Sequence, residues 1–322
     1  MILAGDIGGT KTNLALLARG ETRNFLQEKS FRSQEFPSLD AIIDEFLSPE
    51  QVRNIERVCF GIAGPIQDNR CHATNLSWVV DGPSLHRGIF QGKTPVFLIN
   101  DLEANAWGIP LLQPDELFVL NLGERKKGNQ ALISAGTGLG EAGMYFTGNK
   151  HIPFASEGGH VDFSPRDEEE IEMLRFFKTR FPHVSFERFL CGNGIELIYQ
   201  FFLGEKEEQG DRIDAKSISE AALLNTCPVC VKALKKFISI YGGEAGNLAL
   251  KFAAWGGIYI GGGIAPKILE ALKSEAVFMK AFVSKGRFEP ILSRIPVQVI
   301  LNPKTALLGA ARYARESQGA IS

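Results

Sequence analysis

The stretch Ser134-Ala-Gly-Thr-Gly-Leu-Gly-Glu-Ala-Gly-Met-Tyr-Phe146 contains G-L-G-E-A-G, a literal match to the dinucleotide fingerprint G-x-G-x-x-G. That fingerprint has a mechanical meaning only where a strand precedes the glycines and a helix opens on them. The residues from Gln130 to Ser134 read as a short apolar strand, so the first half fits. After Gly143 the chain continues Met-Tyr-Phe146, Thr-Gly-Asn149 and Lys-His-Ile-Pro-Phe154, which reads as a hairpin rather than a helix. A glycine turn between two strands points backbone N–H groups at an anion without needing a helix N-terminus. The expected ligand of this turn is therefore phosphate, not a dinucleotide held in the fingerprint manner.

Working outward, the same pattern occurs twice. GDIGGTKTNLALL (5–17) answers SAGTGLGEAGMYF (134–146), RVCFGIAG (57–64) answers GIYIGGGI (257–264), and TPVFLIND (94–101) answers IPVQVILNP (295–303). Between the first hairpins and RVCFGIAG, Leu39, Ile42, Ile43 and Phe46 fall at i, i+3, i+4 and i+7, one helical face. The third strand of the first half is expected near Arg23 to Gln27. Each half reads as three strands in hairpins, helix, strand, helix, strand, helix, and the second carries a largely helical insertion. In that insertion Ser164-Pro165 followed by acidic residues predicts a helix start with proline at N1, and Ser217-x-x-Glu220 is a capping-box candidate. A long helix is expected from about Val229 to Ala253. The pattern predicts an α/β protein of two lobes: a small α/β domain over 1–110 plus 303–322, and a large α+β domain over 111–302. Two such lobes facing each other leave a cleft with one glycine hairpin from each pointing into it.

Bulk properties fit this reading. At 322 residues the chain exceeds the usual size of a single core. A hydrophobic content of 44% and a charged content of 22% describe an ordinary globular protein. Net charge is −2 without any block of lysine or arginine, so no nucleic-acid partner is expected. The opening MILAGDIGG lacks the basic and apolar regions of a signal peptide, and no apolar run reaches membrane-spanning length. The five cysteines are scattered, which suits a reducing cytoplasm. Cys227-Pro-Val-Cys230 has metal-like spacing but no second ligand pair, so it reads as two reduced thiols near a helix start.

The segment Gly5-Asp6-Ile7-Gly8-Gly9-Thr10-Lys11-Thr12 superficially resembles a Walker loop. It departs from G-x-x-x-x-G-K-[ST] because Thr10 stands before the lysine. A plain hairpin turn would explain Gly8 and Gly9 but leaves Asp6 unexplained. A carboxylate at the end of a core strand is costly unless it is paired or faces a cation such as Mg²⁺. With the second turn around Thr137 and Gly138, the phosphate-cradle reading leads. Gly262 and Gly263 suit close approach of a flat adenine or ribose, or simply turn a strand into a helix. In Asn100-Asp101 a carboxylate stands where a buried strand becomes a helix, which also fits an N-cap aspartate. In Glu157-Gly-Gly-His160 the lone histidine is more often structural than a ligand, and Glu187 alone reads as an exposed helical charge.

At these residues a family resemblance becomes specific. GDIGGTKTNLAL, GIAGPI, TNLSW (74–78), INDLEANAWGIP (99–110), GTGLG, EGGHVDFSP (157–165), SFERFLCG (185–192), GEAGNLAL (243–250) and GGIYIGGGIAP (256–266) occur in the order found in bacterial glucokinases of the hexokinase-like type. The chain resembles that family essentially end to end. The resemblance implies the two-lobed actin-like ATPase (ribonuclease H-like) fold with duplicated βββαβαβα units. It implies phosphorylation of D-glucose by ATP at the 6-hydroxyl with Mg²⁺, in the cytoplasm, by an enzyme that is often a homodimer. Asp101 would be the general base, and Asn100, Asp101, Glu157, His160, Glu187 and, less firmly marked, Asn75 would hold the hexose. Gly5, Asp6, Ile7, Gly8, Gly9, Thr10, Lys11, Thr137, Gly138, Gly262 and Gly263 would hold the nucleotide, with Asp6 on Mg²⁺ directly or through water. A related branch carries a C-x-C-G zinc motif after E-x-G-H; here Asp162-Phe-Ser-Pro165 follows, so zinc is not expected. The first phosphate turn begins at Gly5, so the N-terminal DNA-binding domain of that branch's repressors is not expected. The alternatives left open are a kinase of mannose, fructose or an N-acyl hexosamine, and a catalytically idle sugar sensor.

Overall fold

The computed structural model describes residues 1–73, 76–204 and 213–317. The chain divides into two compact units, Met1–Gln113 with the segment from Asn302 onward, and Pro114–Leu301. The first unit opens with strands β1 (Ile2–Ile7), β2 (Lys11–Leu17) and β3 (Phe25–Arg32), followed by helices α1 (Leu39–Phe46) and α2 (Pro49–Arg53). Strand β4 (Arg57–Ile62) leads into three short strands, β5 (Ile66–Gln67), β6 (Arg70–His72) and β7 (Val79–Asp81). Helix α3 (Gly82–Arg87), strand β8 (Val96–Asn100) and helix α4 (Asp101–Gly108) complete this run. The main sheet has the order β3-β2-β1-β4-β8; β1 to β3 are antiparallel hairpins, and β1, β4 and β8 are parallel.

Strand β1 is buried on both faces, and its period-2 alternation divides the core of the unit. Leu3 and Ile7 join Leu14, Phe60 and the α1 residues Ile42, Ile43 and Phe46 on one side. Ile2 and Ala4 join Ala15, Cys59, Ala104 and Ala310 on the other, where small side chains let α4 and the C-terminal helix lie close to the sheet. Ser38 caps α1 by accepting the Ala41 N–H at 3.3 Å.

In the second unit strand β9 (Leu117–Asn121) precedes the hairpin strands β10 (Gln130–Ala135), β11 (Leu139–Phe146) and β12 (His151–Ser156). The helical insertion holds α5 (Glu168–Lys178), α6 (Phe186–Phe189), α7 (Gly192–Leu203), α8 (Ala215–Leu223) and the long α9 (Pro228–Lys251). Strand β13 (Gly257–Gly261), helices α10 (Leu269–Lys273), α11 (Val277–Val283) and α12 (Glu289–Leu292), and strand β14 (Val297–Ile300) follow. The closing helix α13 (Thr305–Glu316) belongs to the first unit. The second sheet runs β12-β11-β10-β13-β14-β9. Its first five strands repeat the order and directions of the first sheet, so the duplication expected from the sequence is present in the backbone.

Several local expectations need correction. The third strand runs Phe25–Arg32 rather than Arg23 to Gln27, because its pairing with β2 continues to Arg32 opposite Lys11. Helix α5 starts after Pro165: Asp167 is the cap, its carboxylate accepting the Glu170 N–H at 2.7 Å, and Arg166 turns back to pair with Glu170. Ser217 is not a cap either, since Asp214 takes that place and accepts the Ser217 N–H at 2.7 Å. Cys227 caps α9 through its sulfur, which accepts the Cys230 N–H at 3.3 Å. The small β5-β6-β7 sheet and the antiparallel edge strand β9 were not anticipated.

Candidate active site

In the first unit the register Asp6↔Gly61↔Ile99 and Ile7↔Ile62↔Asn100 brings the carboxyl ends of β1, β4 and β8 to one edge of the sheet. Open α/β sheets bind ligands at that edge. The turn between β1 and β2 is closed by the Gly8 N–H donating to the Lys11 carbonyl at 2.9 Å. It is held from outside by Ser33, a residue the sequence reading missed. The Ser33 hydroxyl donates to the Gly8 carbonyl at 2.7 Å, its N–H donates to the Thr10 carbonyl at 3.1 Å, and its oxygen lies 3.0 Å from the buried Thr12 hydroxyl. Thr10 and Lys11 remain exposed on the turn. Two candidates have a plainer account. Gly5 lies inside β1, where an added Cβ would meet Phe60 Cδ1 at 2.5 Å, and the Ile7 side chain is packed in the core.

Asp6 Oδ2 accepts from Asn13 Nδ2 at 3.3 Å, and no other side chain among the described residues bonds the carboxylate. Desolvation pushes its carboxyl above the usual range, and the Asn13 hydrogen bond only partly offsets this. A carboxylate so placed fits a hard cation that keeps waters and phosphate oxygens as its other ligands, since Mg²⁺ needs only one or two protein carboxylates.

The junction of β8 and α4 corrects the reading of Asp101 as an N-cap. The cap is Asn100, whose buried Oδ1 accepts from the N–H groups of Leu102 at 2.9 Å and Glu103 at 3.3 Å. Its Nδ2 donates to the Gly64 carbonyl at 3.3 Å. Asp101 occupies the first helical position, with Oδ1 accepting the Leu102 N–H at 2.9 Å. Asn75 lies outside the described residues.

In the second unit the β10–β11 turn is closed by the Gly136 N–H donating to the Gly138 carbonyl at 2.8 Å, and Thr137 at its tip is exposed. Glu187 of α6 reaches this turn, where its Oε2 accepts the Leu139 N–H at 3.1 Å. A short antiparallel pairing of Asp162 with Ser185 draws the Glu157–His160 segment towards α6. His160 Nδ1 stands 3.7 Å from Glu187 Oε1, while Glu157 is exposed. Of the three hexose candidates of this unit, Glu187 and His160 are thus brought together beside the β10–β11 turn, while Glu157 stands three residues before His160 with no side-chain partner there among the described residues. At the end of β13, Gly262 has φ +83°, and a Cβ there would lie 2.2 Å from the Ala135 carbonyl; Gly263 opens onto free space. Both adjoin the same turn, because the Ile264 N–H donates to the Ala135 carbonyl at 3.2 Å.

Tyr241 of α9 was also missed. It is fully buried, and its hydroxyl accepts the Ala135 N–H at 3.2 Å and lies 3.3 Å from the Ile133 carbonyl and 3.4 Å from that of Gly261. It pins β10 and β13 at the point where both enter their glycine turns. Burial raises its pKa well above the ordinary value, so the phenol stays a neutral hydrogen-bonding group.

Comparison with known proteins identifies the family. The family model for glucokinase matches residues 3–317. A glucokinase from Nostoc punctiforme is 39% identical over 98% of this chain and 98% of its own length. The crystal structure of a glucokinase from an Antarctic psychrotroph superposes with a TM-score of 0.82 at 30% identity, covering 98% of this chain and 99% of that one. A ROK family glucokinase from Streptomyces griseus, solved with glucose and AMPPNP, gives a TM-score of 0.65 at 23% identity, covering 98% and 99%. That last likeness concerns the fold.

Proposed function

The chain belongs to the glucokinase family, and from that premise we infer that it transfers the γ-phosphoryl group of ATP to D-glucose, giving glucose 6-phosphate and ADP. The observation that carries the residue assignments is the strand register that aligns Asp6 with the Asn100-Asp101 junction at one sheet edge. In this reading Asp101 accepts the proton of the 6-hydroxyl while that oxygen bonds to the γ-phosphorus. The bond from the γ-phosphorus to the β–γ bridging oxygen breaks, and that oxygen leaves with ADP. A positioned base contributes about 10²–10⁴ in rate; the remainder comes from orientation and charge neutralisation.

Asn100, Glu157, His160 and Glu187 hydrogen-bond the hexose, and Asn75 is a further candidate. Each is a polar group able to meet one or two hydroxyls. A site built to bond a hydroxyl rejects the deoxy analogue by about 10⁴–10⁵, because the buried partner is left unpaired. Each unit offers a glycine turn suited to phosphate: Gly8, Gly9, Thr10 and Lys11 in the first, and Thr137 and Gly138 in the second. Gly262 and Gly263 lie against the nucleoside. Asp6 would hold Mg²⁺, directly or through water, and the ion would supply neutralisation of phosphate charge. Support for Asp6 is its desolvated carboxylate, with Asn13 as its one side-chain hydrogen-bond partner among the described residues.

No helix among the described residues is long and apolar enough to cross a membrane. We place the enzyme in the cytoplasm as a homodimer on the family resemblance, without a nucleic-acid partner. Light scattering of the purified chain tests the dimer. The activity is tested by a panel of glucose, mannose, fructose and N-acetylglucosamine with ATP and Mg²⁺, read as kcat/KM, with polyphosphate as rival donor. A clear preference for glucose with ATP is expected. Preference for another hexose would move the assignment to that sugar, and glucose binding without ADP release would indicate a sensor.

A further inference from the structure

Glu141 of β11 is 1% exposed, and its Oε1 has no hydrogen-bond donor. Facing it from α9 is Glu244, 0% exposed, whose Oε1 accepts from Lys251 Nζ at 2.8 Å and whose Oε2 accepts from Asn247 Nδ2 at 2.7 Å. Glu244 therefore has its charge matched and both oxygens engaged, while Glu141 has no cation bonded to it. Two ionised carboxylates in that space would repel at low dielectric. A proton on Glu141 removes the conflict, turning one acceptor into a donor to Glu244.

The other side of Glu141 meets the hexose segment. A Cβ added to Gly158 would lie 2.0 Å from Glu141 Oε2, so with the buried carboxylate in this position the backbone passes too close for any side chain. The Gly158 N–H donates to Ser156 Oγ at 3.0 Å, and Ser156 is the residue paired with Glu141 across β11 and β12. Glu141 thus lies directly against Gly158, within the Glu157-Gly-Gly-His160 segment.

We propose that Glu141 is a positioning residue of the hexose site. Protonated and hydrogen-bonded to Glu244, it sets the height of Gly158 and with it the carboxylate of Glu157 and the imidazole of His160; its ionisation displaces that segment and weakens hexose binding. The inference rests on the reading of Glu157 and His160 as hexose ligands. The groups around Glu141 support it. Burial is the largest influence and disfavours the carboxylate, Glu244 opposes ionisation further, and Lys251 favours it less strongly. Together they push the Glu141 carboxyl up to about 8.

The remaining neighbours are few. Tyr241, one turn before Glu244 on α9, stays neutral, and the strand partners Ile133 and Ser156 carry no charge in this range. Beyond Glu244, Lys285 donates to Asn247 Oδ1 at 2.6 Å, and Arg166 pairs with Glu170. On the hexose side the titratable groups are Glu157, next to Gly158 in the chain, and His160 with Glu187.

The test is glucose affinity by calorimetry between about pH 6.5 and 9.5, a window that brackets the ionisation, for the full chain and for Glu141→Gln, which keeps the shape and a permanent donor. The unsubstituted protein is expected to lose on the order of tenfold in glucose affinity across the ionisation of Glu141, and Glu141→Gln to show no such loss. ATP affinity, measured in parallel, should follow the same course in both. Glucose binding with identical pH profiles in the two proteins would overturn the proposal and leave the hexose-site reading intact. Absence of glucose binding at every pH would overturn both. Should Glu141→Gln not fold, Glu244→Gln serves instead: the affinity loss should move to lower pH, and an unmoved profile overturns the proposal.

Discussion

Glu187 Oε2 accepts the Leu139 N–H at 3.1 Å, so a carboxylate assigned to the hexose also fixes the turn assigned to phosphate. Replacing it should therefore disturb both substrates. Glu187→Ala is expected to raise KM for glucose and for ATP, whereas Glu187→Gln, which keeps an acceptor oxygen, should raise chiefly the glucose KM. Steady-state kinetics with each substrate varied in turn decides this. A glucose-only effect in the alanine variant would mean that the contact with Leu139 does not hold the turn.

Asp6 must be ionised to hold a cation, and desolvation raises its pKa. Affinity for Mg²⁺-ATP should accordingly fall on the acid side at a higher pH than an ordinary aspartate would give. Asp6→Asn should raise KM for Mg²⁺-ATP by on the order of tenfold or more and abolish that acid limb. An unchanged acid limb in the variant would remove Asp6 from the cation site.

The buried Glu141 also predicts how stability depends on pH. Its folded pKa, about 8, lies above the ordinary carboxyl value of 4.5, so the folded state holds a proton that the unfolded state has released between those values. Stability from this group is present below the unfolded pKa, is lost as pH rises towards 8, and changes no further above it. Glu141→Gln should thus be more thermostable relative to the unsubstituted chain at about pH 9 than at about pH 5, read as melting temperature at each pH. An equal difference at both values would contradict the assignment of the proton.

Most of the architecture was readable because its signals are local. The glycine turns, the α1 stripe of Leu39, Ile42, Ile43 and Phe46, and the repeated strand patterns each lie within short stretches of chain. The missed residues act at a distance along the chain: Ser33 reaches Gly8 across 25 residues and Tyr241 reaches Ala135 across 106. No spacing rule connects such pairs. The misplaced caps have another cause. Ser164-Pro165 and Ser217 satisfy the local rules, but the aspartates Asp167 and Asp214 offer charged acceptors and take the caps. At Asn100-Asp101 the outcome is reversed: the amide takes the cap and the carboxylate stands at the first helical position.

The most direct measurement is turnover of Asp101→Asn at saturating glucose and Mg²⁺-ATP, with glucose affinity determined on the same preparation. A fall in kcat of about 10²–10⁴ with glucose affinity within a few fold of the unsubstituted chain is the predicted result. Turnover equal to that of the unsubstituted chain would contradict it.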